Sequence, residues 1–168
     1  MQLREINKIR YRKHYKIIFA GIAFVLLIIA PGTSALFISL FSNPEGSHLF
    51  HNLAGVLVGV AIITFLLNKF RQHPFMLEVI YVWDLKQQLN KIRRKQRNIE
   101  AAVENNDKDA MNIMNFNLHG SNQLYEQDDH PLTMEDLLRK IQLHDERLQA
   151  AGLSSSTDAY NPALLEKF

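Results

Sequence analysis

Cysteine is absent from the chain, which excludes disulfides and thiolate metal sites and leaves no redox compartment to infer. Charge is absent from two long stretches. Ile17–Phe41 contains no Asp, Glu, Lys or Arg in 25 residues, and the run that begins at Leu49 has none until Lys69. A transporter or proton relay needs an ionisable group in such a stretch, so a self-contained two-helix transporter is disfavoured, although an accessory subunit is not. No Gly-rich phosphate loop, nucleophile elbow or HExxH motif occurs.

The two uncharged runs read as transmembrane helices 17–41 and 49–70. A helix over Ile17–Phe41 spans ~37 Å at ~1.5 Å per residue, enough for a hydrocarbon core of ~30 Å. The second run is strongest over Leu53–Leu67, with flanking aromatics completing the span. The rival for the first run is a signal peptide cleaved near Thr33-Ser34-Ala35. Against it, the apolar LFISLF resumes at once.

Residues 42–48 form a short connection whose SNPEGS is turn chemistry, so the spans predict an antiparallel hairpin. Basic residues crowd the outer flanks. Residues 1–16 carry six Lys/Arg and one acid, residues 69–97 eight Lys/Arg and two acids, and residues 98–168 five Lys/Arg and thirteen acids. The positive-inside rule then places both termini in the cytoplasm and the turn outside. Pro31-Gly32 predicts a kink, with Thr33 or Ser34 available to the freed carbonyl. Gly55 and Gly59 form a GxxxG packing face that meets either the first span or another protomer.

A cytoplasmic helical region is expected over 74–152, with helices at about 74–104, 108–125 and 134–151. In the first, Val82, Leu85, Leu89, Ile92, Ile99 and Val103 alternate at spacings of three and four, with one polar defect at Gln96. This heptad seam implies a partner helix, either in a parallel homodimer or from the chain's own acidic helices folding back. Asp107 is a candidate cap for the second helix, and Gly120-Ser121 a candidate interruption before Leu124-Tyr125. Thr133–Asp136 reads as a capping-box variant opening the third helix, which Gly152 stops. Residues 153–168 read as an extended or disordered polar tail, with Leu164, Leu165 and Phe168 as candidates for docking.

Lys91, Arg93, Arg94, Lys95 and Arg97 form a basic patch on the long helix. If that helix stood upright, Lys91 would lie ~25 Å beyond Pro74, whereas lipid surface charge fades within ~8 Å. The chain's own acidic helices are therefore the favoured complement, ahead of lipid headgroups, a protein partner or nucleic acid. No nucleic-acid motif accompanies the charge. Phe75, Tyr81 and Trp83 suit either the headgroup level or a helix-packing face.

Two places hold residue types that can ligate a metal. Glu45, His48 and His51 recur every third residue near the turn, a weak zinc signature against an ordinary polar interface. His144-Asp145 is the dipeptide of HD phosphohydrolases, but that chemistry needs further ligands; His119, Asp129 and His130 are the candidates, in a short chain. Asp128–His130 is more simply a solvated turn. No cofactor is implied.

HPFMLEVIYVWDLKQQLNKIRRK (73–95), with NKIRYRKHYK (7–16) and NPEGS (43–47), resembles a family of small two-span bacterial inner-membrane proteins, mainly gammaproteobacterial, known only as a domain of unknown function. The resemblance covers the chain to about Gly152 and implies a bacterial origin and a two-span anchor. It implies no activity and no site residues.

The expectation is an all-α protein: a membrane hairpin, then a cytoplasmic helical bundle or coiled coil. The expected role is a non-catalytic interaction or scaffold protein of the inner membrane, with the bilayer as one partner and self-association through the 82–103 seam as another. An accessory subunit of a transport or envelope complex is the alternative, and a metal-dependent hydrolase the minor one.

Overall fold

The computed structural model describes residues 1–41, 49–128 and 131–168. These are all-helical, with no strand among the described residues. The chain divides into two compact units, one of residues 7–80 and one of residues 1–6 with 81–168. The expected connection at 42–48 lies outside the described residues, as do Glu45, His48, Asp129 and His130.

The first unit is a helix pair. Helix α1 (Lys8–Phe41) starts well before the apolar run, because the Asn7 side chain accepts from the Arg10 N–H at 3.0 Å and Lys and Arg are good helix formers. It continues through Pro31. Helix α2 (Leu49–Lys69) packs along it. Both are long and apolar enough to cross a membrane. Their large side chains face outward: Phe24, Leu27 and Phe65 are 65%, 74% and 65% exposed. The core helix of a water-soluble domain would hide such groups.

After α2, successive turns run from Phe70 to Met76. Helix α3 (Leu77–Arg94) thus begins three residues beyond Pro74, later than expected. Glu78 in its first turn is 3.1 Å from Arg10 and 3.4 Å from His14. The Phe75 ring lies 3.9 Å from the His14 ring, centroid to centroid.

The second unit holds most of α3, with α4 (Gln96–Glu104), α5 (Lys108–Asp128) and α6 (Pro131–Ala150). The single helix expected over 74–104 is two, parted at Lys95 with φ −109° and ψ 8°. The break falls beside Gln96, the polar defect of the seam, and the Lys95 ammonium is drawn to the Leu165 carbonyl at 2.6 Å. The seam survives it: Val82, Leu85, Leu89, Ile92, Ile99 and Val103 are all buried.

Asn106, at φ 59°, ends α4, with the Asn106 N–H on Val103 O and the Asp107 N–H on Ala102 O, a Schellman closure. Asp107 caps α5, accepting from the Ala110 N–H at 2.9 Å. Gly120 does not interrupt α5. A methyl there would lie 3.2 Å from Leu89 and 3.3 Å from Leu85, so the glycine marks a close approach to α3. Helix α6 starts at Pro131, which suits a first turn, so Thr133 lies inside it rather than capping it. Gly152, at φ 69°, closes it: its N–H donates to Gln149 O and the Leu153 N–H to Leu148 O.

The tail is not the extended or disordered segment expected. It forms short 3₁₀ turns at Thr157–Ala159 and Pro162–Lys167. The Tyr160 ring stacks on Phe116 with centroids 4.0 Å apart, and its hydroxyl accepts from Gln88. Asn115 donates to Ser155 O, Asn98 to Phe168 O, and Lys167 pairs with Asp109. The missed signal was Tyr160, an aromatic within an otherwise polar run.

Candidate functional site

Helix α5 is the axis of the second unit. Ala110–Tyr125 carries no charged residue, consistent with a helix covered on more than one side. One side meets α4 and another α6. A third is covered by the tail, through Phe116, Asn115 and Asp109. Helices α4 and α6 both pack on α5, and among the described residues neither leans extensively on the other. Three helices in a row leave a trough above the middle one.

That trough is a groove of about 750 Å³. Its floor is the fourth side of α5, where Met114, Leu118 and Leu124 are half-buried. Buried Leu89 and Val103 support one wall and Leu137 the other. Asn117 and Ser121 place polar groups along the floor. The rim carries Lys86, Arg93, Lys140 and Arg147 against Glu100 and Glu104, four cations to two carboxylates. Lys140 is paired with Asp136 at 2.7 Å. Hydrogen bonds from Lys140 and then Arg139 hold the Asp136 carboxyl below its ordinary value.

Several residues singled out in the sequence are engaged elsewhere. Gly55 and Gly59 are buried against α1, so the GxxxG face meets the first span of the same chain. Ser34, a candidate for the carbonyl freed by Pro31, instead donates to Asn52 of α2. The seam residues lie in the intramolecular core with Phe116, Leu148, Tyr160 and Leu165. Of the basic patch, Lys91, Arg93, Arg94 and Arg97 are exposed, while Lys95 clamps the tail and Arg93 reaches the groove. Tyr81 accepts from the Arg4 N–H at 2.9 Å and donates to Gln123 at 2.8 Å; burial raises its pKa. Trp83 is 63% exposed.

His144 is buried, its Nε2 bonded to the Met111 carbonyl at 2.9 Å. Burial lowers its pKa, outweighing the upward pull of that carbonyl. The adjacent Asp145 faces His119 at 3.9 Å. Among the described residues, no three His, Asp or Glu side chains converge as a metal site.

Sequence reasoning missed the groove because the methionines and leucines of α5 do not announce which of its sides stays open. Met111 belongs to the buried core, whereas Met114 and Leu118 face the trough. The uncharged run from Ala110 to Tyr125 was the available signal.

No curated protein matches the chain, and no solved structure does. A family model described as "Protein of unknown function (DUF3087)" matches residues 1–165. The chain belongs to the DUF3087 family.

Proposed function

We propose that this chain is a non-catalytic interaction protein anchored in the bacterial inner membrane, with both termini in the cytoplasm and the groove along α5 as its working surface. The observation that carries the topology is the make-up of the second unit. Residues 1–6 precede the first span and residues 81–168 follow the second, yet they fold as one body. Arg4 is bonded through its backbone to Tyr81 and Gln123. Segments that fold together share one side of a bilayer, so two crossings bring the chain back to where it started. The Lys/Arg excess on both outer flanks makes that side the cytoplasm.

The working surface follows from what is already covered. The heptad seam is filled by α5 and the tail, so self-association through it would require dismantling the core. The rival reading, an accessory subunit binding through Gly55 and Gly59, has less support because α1 fills that face. Among the described residues of the second unit, the groove is an apolar-floored trough left open.

A photoreactive amino acid at Leu118 in cells tests this reading. Discrete protein adducts in the membrane fraction are expected. Recovery of the uncrosslinked chain alone, or of lipid adducts alone, would overturn it.

A further inference from the structure

The geometry points to a specific class of occupant: the groove takes an acidic amphipathic helix from a partner protein, which completes a four-helix bundle around α5. This deepens the interaction reading and rests on it.

Shape is the first argument. Met114 to Tyr125 rises about 16 Å at ~1.5 Å per residue, three turns of helix. The trough runs along α5 between two helical walls, the setting in which an amphipathic helix lays its apolar face on Met114, Leu118 and Leu124. The other sides of α5 are covered by the kinked α3–α4 pair, by α6 and by the tail, so this side lacks only its own helix.

Charge is the second. Gly120 lies beside Leu85 and Leu89, which sets the C-terminal half of α5 against the start of the seam. His144 bonds the Met111 carbonyl, which sets the end of α6 against the start of α5. With this register, Lys86, Arg93 and Lys140 fall level with Met114 to Ser121, while Glu100, Glu104 and Arg147 fall level with the start of α5. Among the described residues, neither Arg93 nor Arg147 has an acidic partner. An occupant carrying carboxylates beside its apolar stripe satisfies both the rim and the floor. A polyanion without an apolar face leaves the floor wet, and a basic helix meets like charge over the cationic half.

The test uses the full chain in phosphatidylcholine nanodiscs and two stapled, fluorescent amphipathic peptides. Both carry the same leucine stripe, one flanked by Glu and the other by Lys, with empty nanodiscs as the blank. The Glu peptide is expected to bind about tenfold or more tighter than the Lys peptide, and more weakly as salt rises. In the double variant Arg93→Glu, Lys140→Glu the preference should invert. Both positions are exposed, and an unchanged melting curve shows that the fold is kept.

Equal binding of the two peptides, binding of neither, or a preference that survives the charge reversal overturns the proposal. So does a disulfide-linked dimer of Leu118→Cys in this cysteine-free chain, which assigns the groove to a second copy. Displacement of the Glu peptide by phosphatidylglycerol in the nanodisc also overturns it, in favour of lipid headgroups. Should Leu118 capture a protein in cells while the Glu peptide fails to bind, the acidic-helix proposal falls and the interaction reading stands. No protein adduct at all fells the interaction reading itself.

Discussion

Gly55 of α2 lies so close to Ala30 of α1 that a methyl group on it would sit 2.5 Å from the Ala30 carbonyl oxygen and 2.9 Å from the Ser34 nitrogen. Both obstacles are backbone, so neither can swing aside. At Gly59 the nearest obstacle is the tip of the Leu26 side chain, at 3.2 Å, which can turn away. Gly55→Ala should therefore destabilise the hairpin by about 1–3 kcal/mol, and Gly59→Ala by much less. The midpoint of thermal aggregation in mild detergent checks the ranking; equal shifts would contradict the close approach.

Tyr160 makes two separable contacts. Tyr160→Phe keeps the stack on Phe116 and loses the hydrogen bond from Gln88, a loss of about 1 kcal/mol. Tyr160→Ala removes the ring and should cost about 3–5 kcal/mol. Limited proteolysis beyond Gly152 reads the difference: fast cleavage is expected in the alanine variant and near-normal resistance in the phenylalanine variant.

The seam and the tail differ in how legible they were. Seam residues repeat at helical spacing, a local pattern that sequence carries well, and each of them is buried. What fills the seam depends on non-local contacts such as Lys95 to Leu165 and Phe116 to Tyr160, and no periodicity in residues 153–168 announces them. Gly120 misled for a related reason. Glycine marks a chain break and a close helix approach with the same letter, and only the leucine tips of α3 distinguish the two. The groove is a property of three helices together, so no one segment signalled it.

Substituting Asp at both Leu89 and Ile92 buries two unpaired charges, each costing several kcal/mol. The unit of residues 1–6 and 81–168 should lose its cooperative melt while the chain still inserts into membranes, since α1 and α2 do not contain these positions. A chain that keeps its melt and loses only self-association would instead place a second copy on the seam.

His144 gives the second unit an acid-side weakness. Its pKa is lowered from 6.5, first by burial, so the folded protein resists the proton that the unfolded chain accepts. Near neutral pH both states hold a neutral ring and His144 adds no pH dependence. As pH falls below about 6.5, the unfolded chain binds the proton first and stability drops. The drop continues until pH passes the lowered folded value. Arg147 and His119 add to the lowering and Asp145 opposes it. Urea unfolding at pH 7.5 and pH 5.5 should show the loss, and His144→Gln should reduce it.

In the proposed topology the chain crosses the bilayer twice and returns. Because the protein has no cysteine, single cysteines report their own side of the membrane without background. In spheroplasts, a membrane-impermeant maleimide should label Gly46→Cys at once, and should label Gln2→Cys and Ser154→Cys only after lysis. Labelling of Ser154→Cys in intact spheroplasts, or of Gln2→Cys and Ser154→Cys from opposite sides, would contradict it.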